Sequence, residues 1–166
     1  MLQPYLKREK LIKTFYFKNY VMGDLSKEIQ SKFENNRVKA LINILYTANW
    51  ITAHQNEFFK SYGLSPQQYN ILRILRGAGG PLKVQTIKER MIDRSPNATR
   101  LMDKLCAKNL IERLPSEEDR RVVRIIITQA GLDLMASIPS DFNAPVFKNL
   151  SETDAEQLSN LLDKMR

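Results

Sequence analysis

Apolar positions take on a helical period from about Ser26 to Tyr62, where Val38, Leu41, Leu45, Ala48, Ile51, Phe58 and Tyr62 follow three- and four-residue steps. Gly63 stands where a helix closes on a left-handed residue. Ser65-Pro66 then predicts a second helix, a hydroxyl cap followed by proline at the first helical position, with Tyr69, Leu72 and Leu75 inward. Gly77, Gly79, Gly80 and Pro81 break that pattern. Two short helices are predicted next. The first covers about Val84 to Met91 and turns Val84, Ile87 and Met91 inward. The second is opened by Ser95-Pro96 and runs to about Lys108, with Leu101, Met102 and Leu105 inward. Asn109 falls at the turn, and asparagine tolerates the left-handed conformation.

The period then changes to two. Leu110 to Leu114 reads as a strand, Pro115 to Arg121 as a charged turn, and Val122 to Thr128 as a second strand. In the latter, Val123, Ile125 and Ile127 share one face, and Val122, Arg124 and Ile126 the other. Thr128 is placed to cap a further helix to about Ser137. After a proline-containing link, Ser151 with Asp154 three residues on predicts the start of a last helix carrying Leu158, Leu161, Leu162 and Met165 on one side. Residues 1–21 have no helical period, and Met22-Gly23-Asp24 resembles a second beginning, so 1–21 is expected to be a peripheral extension. The remainder, 22–166, reads as one mainly α domain with a small β-hairpin.

Composition narrows the class. With 43% hydrophobic and 27% charged residues the chain has the balance of an ordinary water-soluble protein. No stretch approaches the roughly 18 uncharged apolar residues of a membrane span. Lys7, Arg8, Lys10, Lys13 and Lys18 interrupt any signal-peptide core. A single cysteine fits a reducing cytoplasm, the expected location. One histidine, no metal-spaced cluster and no phosphate-cradling glycine loop argue against an enzyme, a metal or a cofactor. The net charge of +8 is unevenly spread: residues 83–128 hold eleven Lys/Arg against seven acids, giving +4, while 129–166 hold three against six, giving −3. Clustering of this kind points to nucleic acid more than the total does.

Two short helices followed at once by a hairpin with a basic tip is the order of a winged helix-turn-helix. Such proteins lay the second helix in the major groove with its N-terminal residues against base edges. Ser95, Asn97, Ala98 and Thr99 occupy that end here, with Arg100, Lys104 and Lys108 further along. Asparagine can pair bidentately with adenine, and alanine or threonine can touch a thymine methyl. Arg120, Arg121 and Arg124 can hold the flanking backbone or enter a narrow minor groove. RNA is a poorer partner, because the A-form major groove is too narrow for a helix.

From about Lys39 to Arg166 the chain resembles the MarR family. The densest part is Leu82 to Arg113, where Leu82-Lys83-Val84-Gln85-Thr86-Ile87 opens the helix-turn-helix and Thr99-Arg100-Leu101-Met102-Asp103-Lys104-Leu105 fills the recognition helix. Asp119-Arg120-Arg121 is similar to the family's Asp-x-Arg wing, and Ile127-Thr128-Gln129-Ala130-Gly131 to its Leu-Thr-x-x-Gly exit. The resemblance implies a winged helix-turn-helix over about 64–130, with dimerisation helices at about 26–62 and 131–166. It implies a homodimer on a pseudo-palindromic operator, acting as a repressor. Arg121 then matches the minor-groove arginine, with Asp103 and Asp119 orienting it, Asp103 through an ion pair to Arg121. Asn109 replaces the family's usual glycine, and Ile92-Asp93 its more common Gly-Leu turn.

Members similar to this chain often bind small aromatic effectors between the dimer helices and the DNA-reading lobe. Trp50, His54 and Phe58 lie four apart on one helical stripe and can line such a pocket, although packing in the core is the commoner use of such a stripe. Cys106, four after Met102, is expected to be a buried thiol without redox function. The rival to DNA reading is a winged helix used only for protein contact.

Overall fold

The computed structural model describes residues 23–93, 97–115 and 123–166. The expected extension 1–21, Ser95 with Pro96, and the hairpin tip with Asp119, Arg120, Arg121 and Val122 lie outside the described residues. In chain order the elements are α1 (Leu25–Glu28), α2 (Asn36–Lys60), α3 (Pro66–Ala78), β1 (Leu82–Lys83), α4 (Val84–Arg90), α5 (Ala98–Ala107), β2 (Ile111–Pro115), β3 (Val123–Ile127), α6 (Gln129–Ser137), α7 (Ala144–Phe147) and α8 (Glu152–Asp163). The chain divides into two compact units, 1–48 and 49–166, with the boundary inside α2.

In the first unit the helical pattern expected from Ser26 is interrupted. α1 is a single turn, and Gln30 takes a left-handed φ of 51°. Asn35 then starts α2 afresh, its Oδ1 accepting the backbone N–H groups of Arg37 and Val38 at 3.0 Å each. Asparagine competes for backbone donors in this way, so it begins helices more readily than it continues them. Asp24 caps α1, and its carboxyl is held below the usual value by the Ser26 backbone N–H first and by Lys39 second.

The second unit is built on α3. Ser65 and Gln68 form a reciprocal capping box, and Pro66 supplies the first turn. Gln68 is buried, and both arms of the box use it. Ile71, Leu72, Ile74 and Leu75 enter a core shared with Phe59, Ile87, Met91, Met102, Leu105, Ile111, Ile125 and Met135. α3 therefore packs on α4, α5, α6 and β3. Phe58, Phe59, Tyr62, Tyr69 and Phe142 form an aromatic cluster with ring centroids 4.4–5.4 Å apart, pinning the segment after α6 to α2 and α3. Gln55 Nε2 donates to Asn143 Oδ1 at 3.2 Å beside it.

The sheet has three antiparallel strands in the order β1-β3-β2, so the expected hairpin gains a short strand before α4. Leu82 faces Ile125 on one side, and Arg113 faces Ile125 on the other. Two residues are too few to give a period, which is why the sequence pattern does not reveal β1. Among the described residues no helix is long and apolar enough to cross a membrane.

Candidate nucleic-acid interface

The end of α5 determines how the hairpin leaves it. Asn109 adopts a left-handed φ of 56°, while Leu110 N–H donates to Leu105 O at 3.1 Å and Asn109 N–H to Cys106 O at 2.8 Å. Those two bonds are the Schellman closure of a helix. α2 ends identically: Gly63 has φ 66°, Leu64 N–H donates to Phe59 O, and Gly63 N–H to Lys60 O, both at 3.0 Å. The Lys108 ammonium donates to the Gly63 carbonyl and so joins the two helix ends.

The far end of the hairpin is tied to the same point. Thr128 Oγ1 donates to Asn109 O at 2.7 Å and accepts from Gly131 N–H at 3.1 Å, and Thr128 N–H donates to Leu110 O at 3.1 Å. Thr128 thus caps α6, as its position predicts, and also closes the base of the wing. Gly131 is needed because a Cβ there would run into the Leu110 carbonyl oxygen. The similarity at Thr128 and Gly131 thereby acquires a physical cause: both residues let a helix leave the strand against backbone.

With its C-terminal end fixed, α5 divides into two faces. Ala98, Met102 and Leu105 are buried, and Leu101 and Cys106 are partly buried against the same core. Thr99, Arg100, Asp103 and Lys104 are exposed, at the spacing that keeps them on one side of a helix. Three expectations change here. Ala98 is 1% exposed, so its methyl packs inward instead of being offered to a base. The helix begins at Ala98 with Asn97 in the cap position, and the Asn97 side chain makes no capping hydrogen bond. Cys106 is half-buried, less enclosed than expected.

The wing residues are placed only in part. Arg124 is half-buried in β3, level with Lys83 and Leu114, on the sheet face opposite the buried Ile125. Asp103 is paired with Arg113 of β2, where an ion pair with Arg121 was expected; Arg121 lies outside the described residues. The signal for Arg113 was present in the period of two, which sets it on the same face as Ile111, toward α5. No sequence signal marks the Lys108 contact, because it depends on where two helix ends meet in space.

On α2, the Trp50 and His54 rings stack with centroids 6.2 Å apart. Burial holds the His54 imidazole below its ordinary value of 6.5. Phe58 belongs instead to the aromatic cluster, stacked on Phe142 at 5.1 Å. The three residues of the stripe are therefore not used alike. Among the described residues no group of three or more His, Cys, Asp or Glu side chains is placed to hold a metal ion.

Comparison with known proteins agrees with this arrangement. A sequence model described as the MarR family matches residues 64–123. The HTH-type transcriptional regulator MhqR of Bacillus subtilis is 30% identical over 118 residues, covering 69% of this chain and 81% of MhqR. Among solved structures, a MarR transcription factor from Planctomyces limnophilus is 30% identical, with a TM-score of 0.61 over 81% of this chain and 98% of its own. A cysteine-to-serine mutant of MarR from E. coli, complexed with operator DNA, has a TM-score of 0.67 at 24% identity, over 86% of this chain and 99% of its own.

Proposed function

The chain belongs to the MarR family of transcriptional regulators, and we propose that it reads a specific double-stranded operator with α5 and the wing, as a homodimer and as a repressor. The observation that carries this reading is the division of α5, whose core face is closed by Met102 and Leu105 while Thr99, Arg100 and Lys104 stand outward. Asn97, exposed at the start of the helix, is the base-edge candidate, and Arg100 and Lys104 are the phosphate or guanine contacts. Ser95, Arg120, Arg121 and Arg124 complete the proposed interface, with Asp119 orienting the wing.

The dimer is supported by apolar surface that this chain alone leaves in water. Leu158, Leu161 and Met165 on α8 are 43%, 63% and 64% exposed, and Phe147 and Leu150 are exposed nearby in sequence. In the first unit Val38, Leu41, Leu45 and Tyr46 are likewise exposed. Burying such surface against a second copy is favourable at about 25 cal/mol per Å². The domain assignment follows: 64–130 reads DNA, and the helices within 26–62 and 131–166 join the copies. The cytoplasm, where DNA is met directly, is the proposed location.

Release by a small aromatic ligand is the finer part of the proposal. It rests on the Trp50–His54 stack, since Phe58 is engaged in packing. Screening aromatic acids by thermal shift tests it, and no ligand-dependent shift counts against it. For DNA reading, the test is binding to a selected duplex across salt concentration. Lys104→Ala, if it loses a phosphate contact, should weaken binding on all sequences alike and reduce the salt slope by about one. A winged helix used only for protein contact predicts no salt-dependent duplex binding at all.

A further inference from the structure

The outward face of α5 carries one anion among its cations. Asp103 lies between Arg100 and Lys104 on the surface assigned to DNA, and a bare carboxylate there would face phosphates. In the structure it is not bare. An Arg113 Nη2 donates to Asp103 Oδ1, with the two side chains 43% and 53% exposed.

Arg113 reaches that carboxylate because of how β2 leaves the helix. Asn109 and the Leu105–Leu110 hydrogen bond turn the chain back on α5, and Ile111 is buried in the core that Leu105 also enters. Two residues further along the strand, on the same face, stands Arg113. The hairpin is thus attached to α5 at two levels. One is the covalent and hydrogen-bonded base at Asn109, Leu110 and Thr128. The other is an ion pair a full turn and more up the helix, since Asp103 lies six residues before Asn109. On the inner side β1 pairs with β3 at Ile125, which is buried; β2 is the outer strand, and the ion pair is what ties it to α5 beyond its base.

We propose that Arg113 is a positioning residue for DNA recognition: by holding Asp103 it sets the angle of the wing to the recognition helix, so that both reach the duplex together. The inference rests on the DNA-reading function above. An exposed ion pair contributes little to folding, so its effect is sought in binding geometry. It also explains an acid on a DNA-facing surface, because the carboxylate serves the wing and the guanidinium cancels its charge.

The test uses the full-length protein and the duplex its wild-type form selects from a random pool. Arg113→Met keeps the aliphatic stem and removes the charge; Asp103→Asn removes the other partner. Each should weaken binding about three- to tenfold, and the double variant should be no weaker than the worse single, as coupled residues behave. Amide exchange along β2 and β3 should quicken in both single variants without DNA, with little change in melting temperature. The sign for Asp103→Asn is decisive: tighter binding on losing a negative charge would mean that the carboxylate merely repels DNA. A salt slope reduced by about one in Arg113→Met would make Arg113 a phosphate contact, and that too overturns the proposal. Unchanged binding in both variants overturns it while leaving the DNA-reading function intact, whereas a wild-type protein that selects no duplex sinks both.

Discussion

Adding one methyl at Gly131 brings it into the Leu110 carbonyl oxygen and to 2.7 Å from Ile127 Cγ1. The first neighbour is backbone and cannot rotate aside, so α6 or the base of the wing must move. Overpacking of this kind costs about 1–3 kcal/mol. Displacing the Leu110 carbonyl also weakens its bond from Thr128 N–H, worth about 0.5–1.5 kcal/mol. Against this stands a gain of about 1 kcal/mol from replacing glycine by alanine within a helix. The balance is a destabilisation of about 2 kcal/mol, or roughly 4–8 °C in melting temperature for a chain of this size. Gly77, inside α3, provides the matched control, since a Cβ there meets nothing within 4 Å. Gly77→Ala should stabilise by about 0.5–1 kcal/mol, so one substitution takes opposite signs at two helical glycines. Urea titration and thermal melts at fixed protein concentration measure both. A Gly131→Ala protein as stable as wild type would refute the close approach of α6 to the wing base.

Asn109→Ala should cost about 1 kcal/mol in urea unfolding, because alanine lacks the local hydrogen bonding that eases a left-handed φ, while Asn109→Gly should be neutral or better. His54 is held below 6.5 by burial, so its contribution to stability is complete above that value and is lost as pH falls through the folded value. His54→Gln should therefore flatten the decline in melting temperature between about pH 7 and pH 5. Leu161→Lys, on the exposed apolar side of α8, should shift the protein toward monomer in analytical ultracentrifugation, with little loss of helix by circular dichroism.

Most of the second unit was legible because its signals are local. Ser65-Pro66, Gly63, Asn109, Thr128 and the Ser151–Asp154 pair each satisfy backbone groups within a few residues, and each performs its predicted role. The Ser151–Asp154 box even holds the Asp154 carboxyl below its usual value, through the Ser151 side chain first and its backbone N–H second. What escaped depends on distance in space. β1 is too short to show a period, and its pairing requires β3 to be already in place. The period of two set Arg113 on the face toward α5, but its pairing with Asp103 depends on how close β2 comes to the helix, which spacing does not give. Ala98 looked available because it follows the cap, but the phase of α5 turns it inward. At the amino end the helix was expected from about Ser26 although its periodic apolar positions begin only at Val38, and Gln30 and Asn35 break it before that point.

In the proposed dimer, α5 and the wing of each of two symmetric copies engage one duplex. Selection of bound sequences from a random duplex pool by the purified protein tests it most directly. Enriched sites should carry two-fold related half-sites about one helical turn apart, and Arg100→Ala should lose that enrichment. A pool that stays random at low ionic strength, without effector, would contradict it.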